Sequence, residues 1–252
     1  MRDVLVLCYH AVGDDWPAMM ALPEERLERQ LAYLVGRGYR GTTFTQAVTD
    51  PPPGKTLAVT FDDGYSSVIE RAFPMLSRLG LPGTVFVPTA LFGRPGPMCW
   101  PGTDRWLGTP HEDRLRSMSW SDLESLADAG WEVGSHARTH SRLTQLDDEP
   151  LEAELRGSRA DCEDRLGRPC RSIAYPYGDV DARVVRAARR AGYTAAAALP
   201  MRLHRRRPLE WPRVGIYRND PFPRFKAKVS RGRRHLIGFA AGEALVRASI
   251  RR

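Results

Sequence analysis

Nothing in this 252-residue sequence approaches the roughly 18 consecutive apolar residues that a bilayer-spanning helix needs. The opening stretch MRDVLVLCYH turns polar too soon to form the apolar core of a secretory leader, so a cytoplasmic location is expected. Cysteine is scarce: Cys8, Cys99, Cys162 and Cys170 include no CxxC pair, which argues against a zinc ribbon or finger. A reducing compartment also disfavours a Cys162–Cys170 disulfide. No internal repeat and no Gly/Ser linker divides the chain, so residues 1–223 read as one domain and 224–252 as a basic tail or helix.

Acidic residues are nearly missing from the end of the chain. From Met201 onward fifteen Lys or Arg face three Asp or Glu, whereas residues 1–200 carry 23 against 27. The net charge of +8 therefore belongs to the tail, and nucleic acid is not an expected partner because the main body has no basic stripe. Leu236, Phe239, Val246 and Ile250 fall roughly on one helical face. Two arrangements follow: peripheral contact with the anionic inner face of a membrane, or packing on the body with the basic side in water.

What is present is an alternation of short β-rich runs with helical patterns. Strands are expected at 4–10, 41–44, 56–61, 83–88, 131–136, 172–177, 193–199 and 213–217. Between them, segments such as EERLERQLAYLVGRG and DARVVRAARRAG carry apolar residues at helical spacing and run into glycine. Ser66, Ser119 or Ser121, and Asp179 or Asp181 are the candidate N-caps. The pattern implies an α/β fold, either a (β/α) barrel or a doubly wound sheet, with chemistry at the strands' C-terminal ends. Gly93 to Ser117 interrupts it with a long Gly-, Pro- and Trp-rich loop, a candidate lid or binding loop.

Two polar clusters close strands. The first is Asp62-Asp63-Gly64 after TLAVTF, and the second is SHARTH, with His136 and His140 four residues apart after WEVG. If the chain turns helically or tightly there, both imidazoles share a face and converge on one ion. Two imidazoles and one carboxylate make a three-donor metal site with open positions. Either aspartate completes it, and the other is then placed to take a proton from water. Separately, adjacent aspartates before glycine also suit a turn, and paired loop histidines also suit a surface.

Taken in order, TFDDG (60–64), SHARTH (135–140) and AYPYG (174–178) resemble the polysaccharide deacetylase family, the NodB-homology domain of carbohydrate esterase family 4, over about residues 4–217. The start Cys8-Tyr9-His10 is similar to the subgroup of poly-N-acetylglucosamine deacetylases. The resemblance implies a distorted (β/α)7 barrel and a divalent metal, zinc first among candidates, used to remove an N-acetyl or other small acyl group from an amino sugar or glycan precursor. It makes Asp62 the general base, Asp63, His136 and His140 the metal ligands, and the Tyr177 backbone N–H an oxyanion donor. Its motifs equally permit a formamide or cyclic imide substrate, or a catalytically impaired carbohydrate-binding protein on the same barrel.

The chain departs from the family pattern in three places. Ala174 stands where an arginine usually orients the base, and Ala137 where Ser or Thr is usual. No late Leu-x-His motif follows Tyr217, where the only histidine is His235. His10, at the end of the first strand, is the expected substitute for the general acid, and Arg213 the candidate to restore positive charge beside Asp62. Trp100, Trp106, Tyr175 and Trp211 suit either a hydrophobic pocket around an acetyl methyl, or a sugar stack, or ordinary packing, and stay outside the catalytic set.

Overall fold

The structure is a computed structural model that describes residues 3–94, 96–199 and 207–234. Its strands are β1 (Asp3–Tyr9), β2 (Ala11–Val12), β3 (Ala21–Leu22), β4 (Tyr39–Gly41), β5 (Lys55–Phe61), β6 (Gly83–Val87), β7 (Glu132–Ser135), β8 (Ser172–Ala174), β9 (Ala195–Ala198), β10 (Trp211–Pro212) and β11 (Val214–Gly215). The α-helices are α1 (Glu24–Gly36), α2 (Phe44–Thr49), α3 (Phe73–Arg78), α4 (Trp120–Asp128), α5 (Asp148–Leu166), α6 (Ala182–Arg190), α7 (Phe222–Val229) and α8 (Arg231–Arg234).

All pairings in the main sheet are parallel, in the order β10-β9-β8-β7-β6-β5-β1-β11, with β4 added to the start of β5. The two ends of that order are consecutive in sequence. Residues 211–215 pair with β9 through Trp211 and Pro212, then with β1 through Val214 and Gly215, so one segment closes the sheet into a distorted (β/α) barrel. Arg213 sits at the changeover, its own N–H donating to Ala198 O at 3.0 Å.

Burial on both faces explains why β1 reads as an unbroken apolar run and not an alternating one. Alternate residues Val4 and Val6, Ala58, Phe86, Ala174, Ala195 and Ala197, and Trp211 form one cluster in the barrel interior, plugged by Phe44, Ala47 and Val48 of α2. Odd-numbered neighbours such as Leu5, Leu7, Leu57 and Val59 belong to the second, larger cluster beneath the helices. Continuing the period of two, Cys8, Thr60, Asp62, His136 and Arg213 lie on the inward parity at the strands' C-terminal ends. The barrel thus delivers polar groups to one end of a dry interior.

Several boundaries differ from the sequence reading. The strand expected at 41–44 is instead 39–41, because Phe44 starts α2, its N–H capped by Thr84 Oγ1 at 2.9 Å. The run 172–177 stops at Ala174, where Pro176 opens a 3-10 turn. Ser119 and Asp181 are the caps of α4 and α6, but Ser66 is not a cap: the helix after it begins with a π-turn at Val68–Ala72. The loop after β6 is anchored, with 3-10 turns at Asp104–Trp106 and Glu112–Leu115 and with Met98, Trp100 and Leu115 buried. No helix among the described residues is long and apolar enough to cross a membrane. The amphipathic tail positions Leu236, Phe239, Val246 and Ile250, and His235, lie outside the described residues.

Candidate metal centre

Asp62 extends the β5 ladder by one bond, its N–H donating to Tyr9 O at 2.9 Å. Its carboxylate points into the barrel and meets the Arg213 guanidinium, Nη1 to Oδ1 at 2.6 Å and Nη2 to Oδ2 at 2.7 Å. Arg213 Nη1 also donates to Thr60 Oγ1 at 2.9 Å, and Thr60 in turn donates to Leu7 O. The Cys8 thiol lies 3.4 Å from Asp62 Oδ2. Burial would raise the Asp62 carboxyl, but the guanidinium and the nearby histidines outweigh it and hold it below its ordinary range.

Asp63 turns the other way because its backbone is left-handed, with φ of 71°, a conformation that aspartate tolerates better than most residues. Gly64 follows at φ 69°, where a Cβ would lie 2.4 Å from Phe92 Cζ, so only glycine fits. Asp63 Oδ1 then faces His136 Nε2 at 3.5 Å and His140 Nε2 at 3.4 Å. Burial would raise this carboxyl too, yet the two facing rings hold it far below the usual carboxylate range.

The two histidines do not share a helix face. Residues 136–140 form a bend with Ala137 at φ 61° and His140 at φ 59°, and it is this pair of left-handed residues that folds the rings together, centroids 4.9 Å apart. Glu154 of α5 holds the bend by accepting from the N–H groups of Arg138 and Thr139 at 2.7 and 3.0 Å. His136 Nδ1 lies 2.7 Å from Ala174 O, and an Nδ1–H donated to that carbonyl leaves Nε2 with its lone pair toward Asp63. Burial pulls both rings' pKa down; at His136 the two aspartates and the Ala174 carbonyl prevail and raise it, whereas at His140 burial prevails.

These three donors fit a small divalent cation. Asp63, His136 and His140 each offer a ligand atom within 4.8 Å of the others, all buried, and Asp63 Oδ1 has no hydrogen-bond partner. Donor separations of 3.4 and 3.5 Å are long for hydrogen bonds. They match the edge of a tetrahedron with arms of about 2.1 Å, which is about 3.4 Å.

A cavity of about 110 Å³ opens above this floor, also reached by His10 and Tyr177. His10 is half-buried, its Nδ1 has no partner, and with Cys8 and Asp62 it forms a second group of polar atoms within 4.8 Å. Tyr177 is left-handed at φ 61° in the turn Pro176–Gly178, its ring 4.6 Å edge-on to His140 and 3.8 Å beneath the Arg142 guanidinium. Burial pushes its hydroxyl up to about 12, so the phenol stays neutral.

Two contributors escaped the sequence reading, and a third was read only as pocket wall or packing. Trp100, that third, stacks on His140 at 4.3 Å. Arg142 and Glu154 belong to no motif; only their position two residues after His140 and on the next helix pointed to them. Tyr175 and Trp211 are packing residues, with Tyr175 Oη donating to Leu209 O.

Comparison with known proteins bears on the family and the fold. The sequence profile described as polysaccharide deacetylase matches residues 49–196. The chain is similar to the Bacillus subtilis (strain 168) protein YxkH, 23% identical over 193 residues, covering 75% of this chain and 61% of that one. It is also similar to the poly-β-1,6-N-acetyl-D-glucosamine N-deacetylase of Escherichia coli (strain K12), 25% identical over 119 residues, or 44% of this chain and 16% of that one. The chain therefore spans less than two thirds of either relative. Its fold matches the Streptococcus pyogenes deacetylase PplD, solved in complex with acetate, with a TM-score of 0.73 at 19% identity over 90% of this chain and 98% of that one.

Proposed function

This chain belongs to the polysaccharide deacetylase family, and from that membership we propose that it hydrolyses the N-acetyl group, or another small acyl amide, of an amino sugar or glycan. The carrying observation is the pairing of a guanidinium-locked carboxylate, Asp62, with a three-donor centre formed by the very next residue. Asp63, His136 and His140 would hold a divalent metal, with zinc the best match to two imidazoles and one carboxylate. When bound, the metal supplies Lewis acidity toward the acyl carbonyl and makes water more acidic.

Asp62 takes the proton of the water that adds to the acyl carbon. Arg213 keeps that carboxylate ionised and aimed. The Tyr177 backbone N–H donates to the acyl oxygen as negative charge develops there. His10 gives its proton to the nitrogen as the C–N bond breaks, so the water oxygen ends in the carboxylic acid and the sugar leaves as a free amine. The charge that the family usually draws from the position of Ala174 comes, in this reading, from Arg213.

Release of acetate from N-acetylhexosamine glycosides, with and without chelator and beside N-formyl analogues, tests the proposal. Chelator-sensitive acetate or formate release is the expected result. Sugar binding with no release of either acid would overturn it in favour of a carbohydrate-binding role.

A further inference from the structure

We propose that the site takes one terminal acylated sugar end-on and does not act on internal units of a glycan chain. The proposal rests on the deacetylase reading above and narrows its substrate class.

Around the rim of the cavity, loops that follow different strands are joined to one another by direct contact. Arg218 N donates to Met19 O at 2.9 Å, tying the loop after β11 to the segment between β1 and α1. That segment meets the loop after β6 where Trp16 packs edge-on against Trp106 at 5.9 Å and Asp15 pairs with Arg114. The loop after β6 meets the loop after β7 in the Trp100–His140 stack and in the bonds from Thr89 N to Ala137 O and Ala90 N to Arg138 O. Arg142 carries the rim to the loop after β8, lying over Tyr177 and pairing with Asp179. Gly178 rests on Leu199 so closely that a Cβ there would be 2.5 Å from the leucine's own. Among the described residues the rim thus runs by contact from the loop after β11 around to the end of β9.

These walls are fixed. The Arg218 guanidinium gathers four carbonyls, Nη1 donating to Gly13, Trp16 and Ala21 at 3.2, 3.0 and 3.2 Å and Nη2 to Asp14 at 2.7 Å. A rigid five-donor fork suits that task, where an ammonium would not. The loop after β6 is tied down by Met98 N to Leu115 O, Ser66 N to Arg116 O and Met118 N to Gly64 O, at 2.9, 2.9 and 3.0 Å.

An internal sugar has a neighbour on both sides and needs two exits from the mouth. Among the described residues, the flank between Leu199 and Tyr217 is the one not bridged by such a contact. One exit serves a chain end or a small glycoside.

The full chain, loaded with zinc, is incubated separately with the β-1,4-linked and the β-1,6-linked pentamer of N-acetylglucosamine and with its methyl β-glycoside. Products are fragmented in the mass spectrometer to locate each free amine. Expected are acetate from the methyl glycoside and, wherever a pentamer reacts, an amine on one terminal unit, internal positions reacting about a hundredfold more slowly. Amines on internal units at comparable rates would overturn the end-on site and leave the deacetylase reading standing. No acid released from any of the three, nor from their N-formyl counterparts, would overturn that reading, and the end-on site with it.

Discussion

Arg213 and Asp62, 151 residues apart in the chain, face each other through two hydrogen bonds of 2.6 and 2.7 Å, and each is only 2% exposed. Buried alone, the Asp62 carboxylate would be driven toward its neutral form, and the Arg213 guanidinium would stay charged at a large cost in lost hydration. Their pairing keeps a carboxylate ionised at the floor of an enclosed cavity.

Replacing Arg213 by methionine leaves Asp62 buried without its counter-charge, and a loss of about 3–5 kcal/mol in stability is expected from urea unfolding at neutral pH. The sign with pH follows from the lowered carboxyl. The stabilisation is complete above the unfolded-state value of about 3.9 and is lost as pH falls through the lower folded-state value. In the variant burial is opposed only by the nearby histidines, so the acid limb of kcat/KM moves toward neutral pH. A limb that stays in place would show that Arg213 does not set the state of Asp62.

Asp62→Asn conserves shape and removes the proposed base. Turnover is expected to fall about 10²–10⁴-fold while bound metal, measured by elemental analysis, stays at the wild-type ratio. Loss of metal along with activity would move Asp62 into the ligand set.

Asp63→Ala, His136→Ala and His140→Ala should each abolish stoichiometric metal binding. Glu154→Ala touches no donor atom but frees the bend that carries both rings. Its metal affinity is expected to drop about 10–100-fold, as for other supports of metal ligands. Titration against a competing chelator measures both effects, and an unchanged affinity in the Glu154 variant would make the bend self-supporting.

His10→Gln separates acid catalysis from packing by choice of leaving group. An amine must be protonated to depart, whereas an activated phenol need not be, so the variant should lose about 10²-fold or more on N-acetyl sugars and little on an aryl acetate. Equal losses on both substrates would assign His10 a structural role.

The barrel was legible because its strands are short apolar runs followed by glycine-terminated helices, a pattern fixed by burial on both faces. The donor residues were legible because they cluster at two strand ends. The bend at His136–His140 was not: it depends on left-handed Ala137 and His140, and neither residue announces that conformation as glycine would. The contact between Arg213 and Asp62 could be anticipated from strand order, but not its two-pronged form, which depends on Arg213 falling on the inward parity between Pro212 and Val214. The Trp100 and Arg218 contacts stayed hidden for a plainer reason. Their partners are a ring and a set of backbone carbonyls, and such partners leave no trace in residue spacing.

The changeover at residues 211–215 also gives the site a history. During synthesis Asp62, Asp63, His136 and His140 all leave the ribosome before Arg213 does, so the metal donors are available to a chain that still lacks the guanidinium. Until that last segment lies between β9 and β1, the Asp62 carboxylate beside them lacks its counter-charge. The contact between Asp62 and Arg213 is thus the last part of the site to become possible as the chain is made, and it forms at the final seam of the barrel.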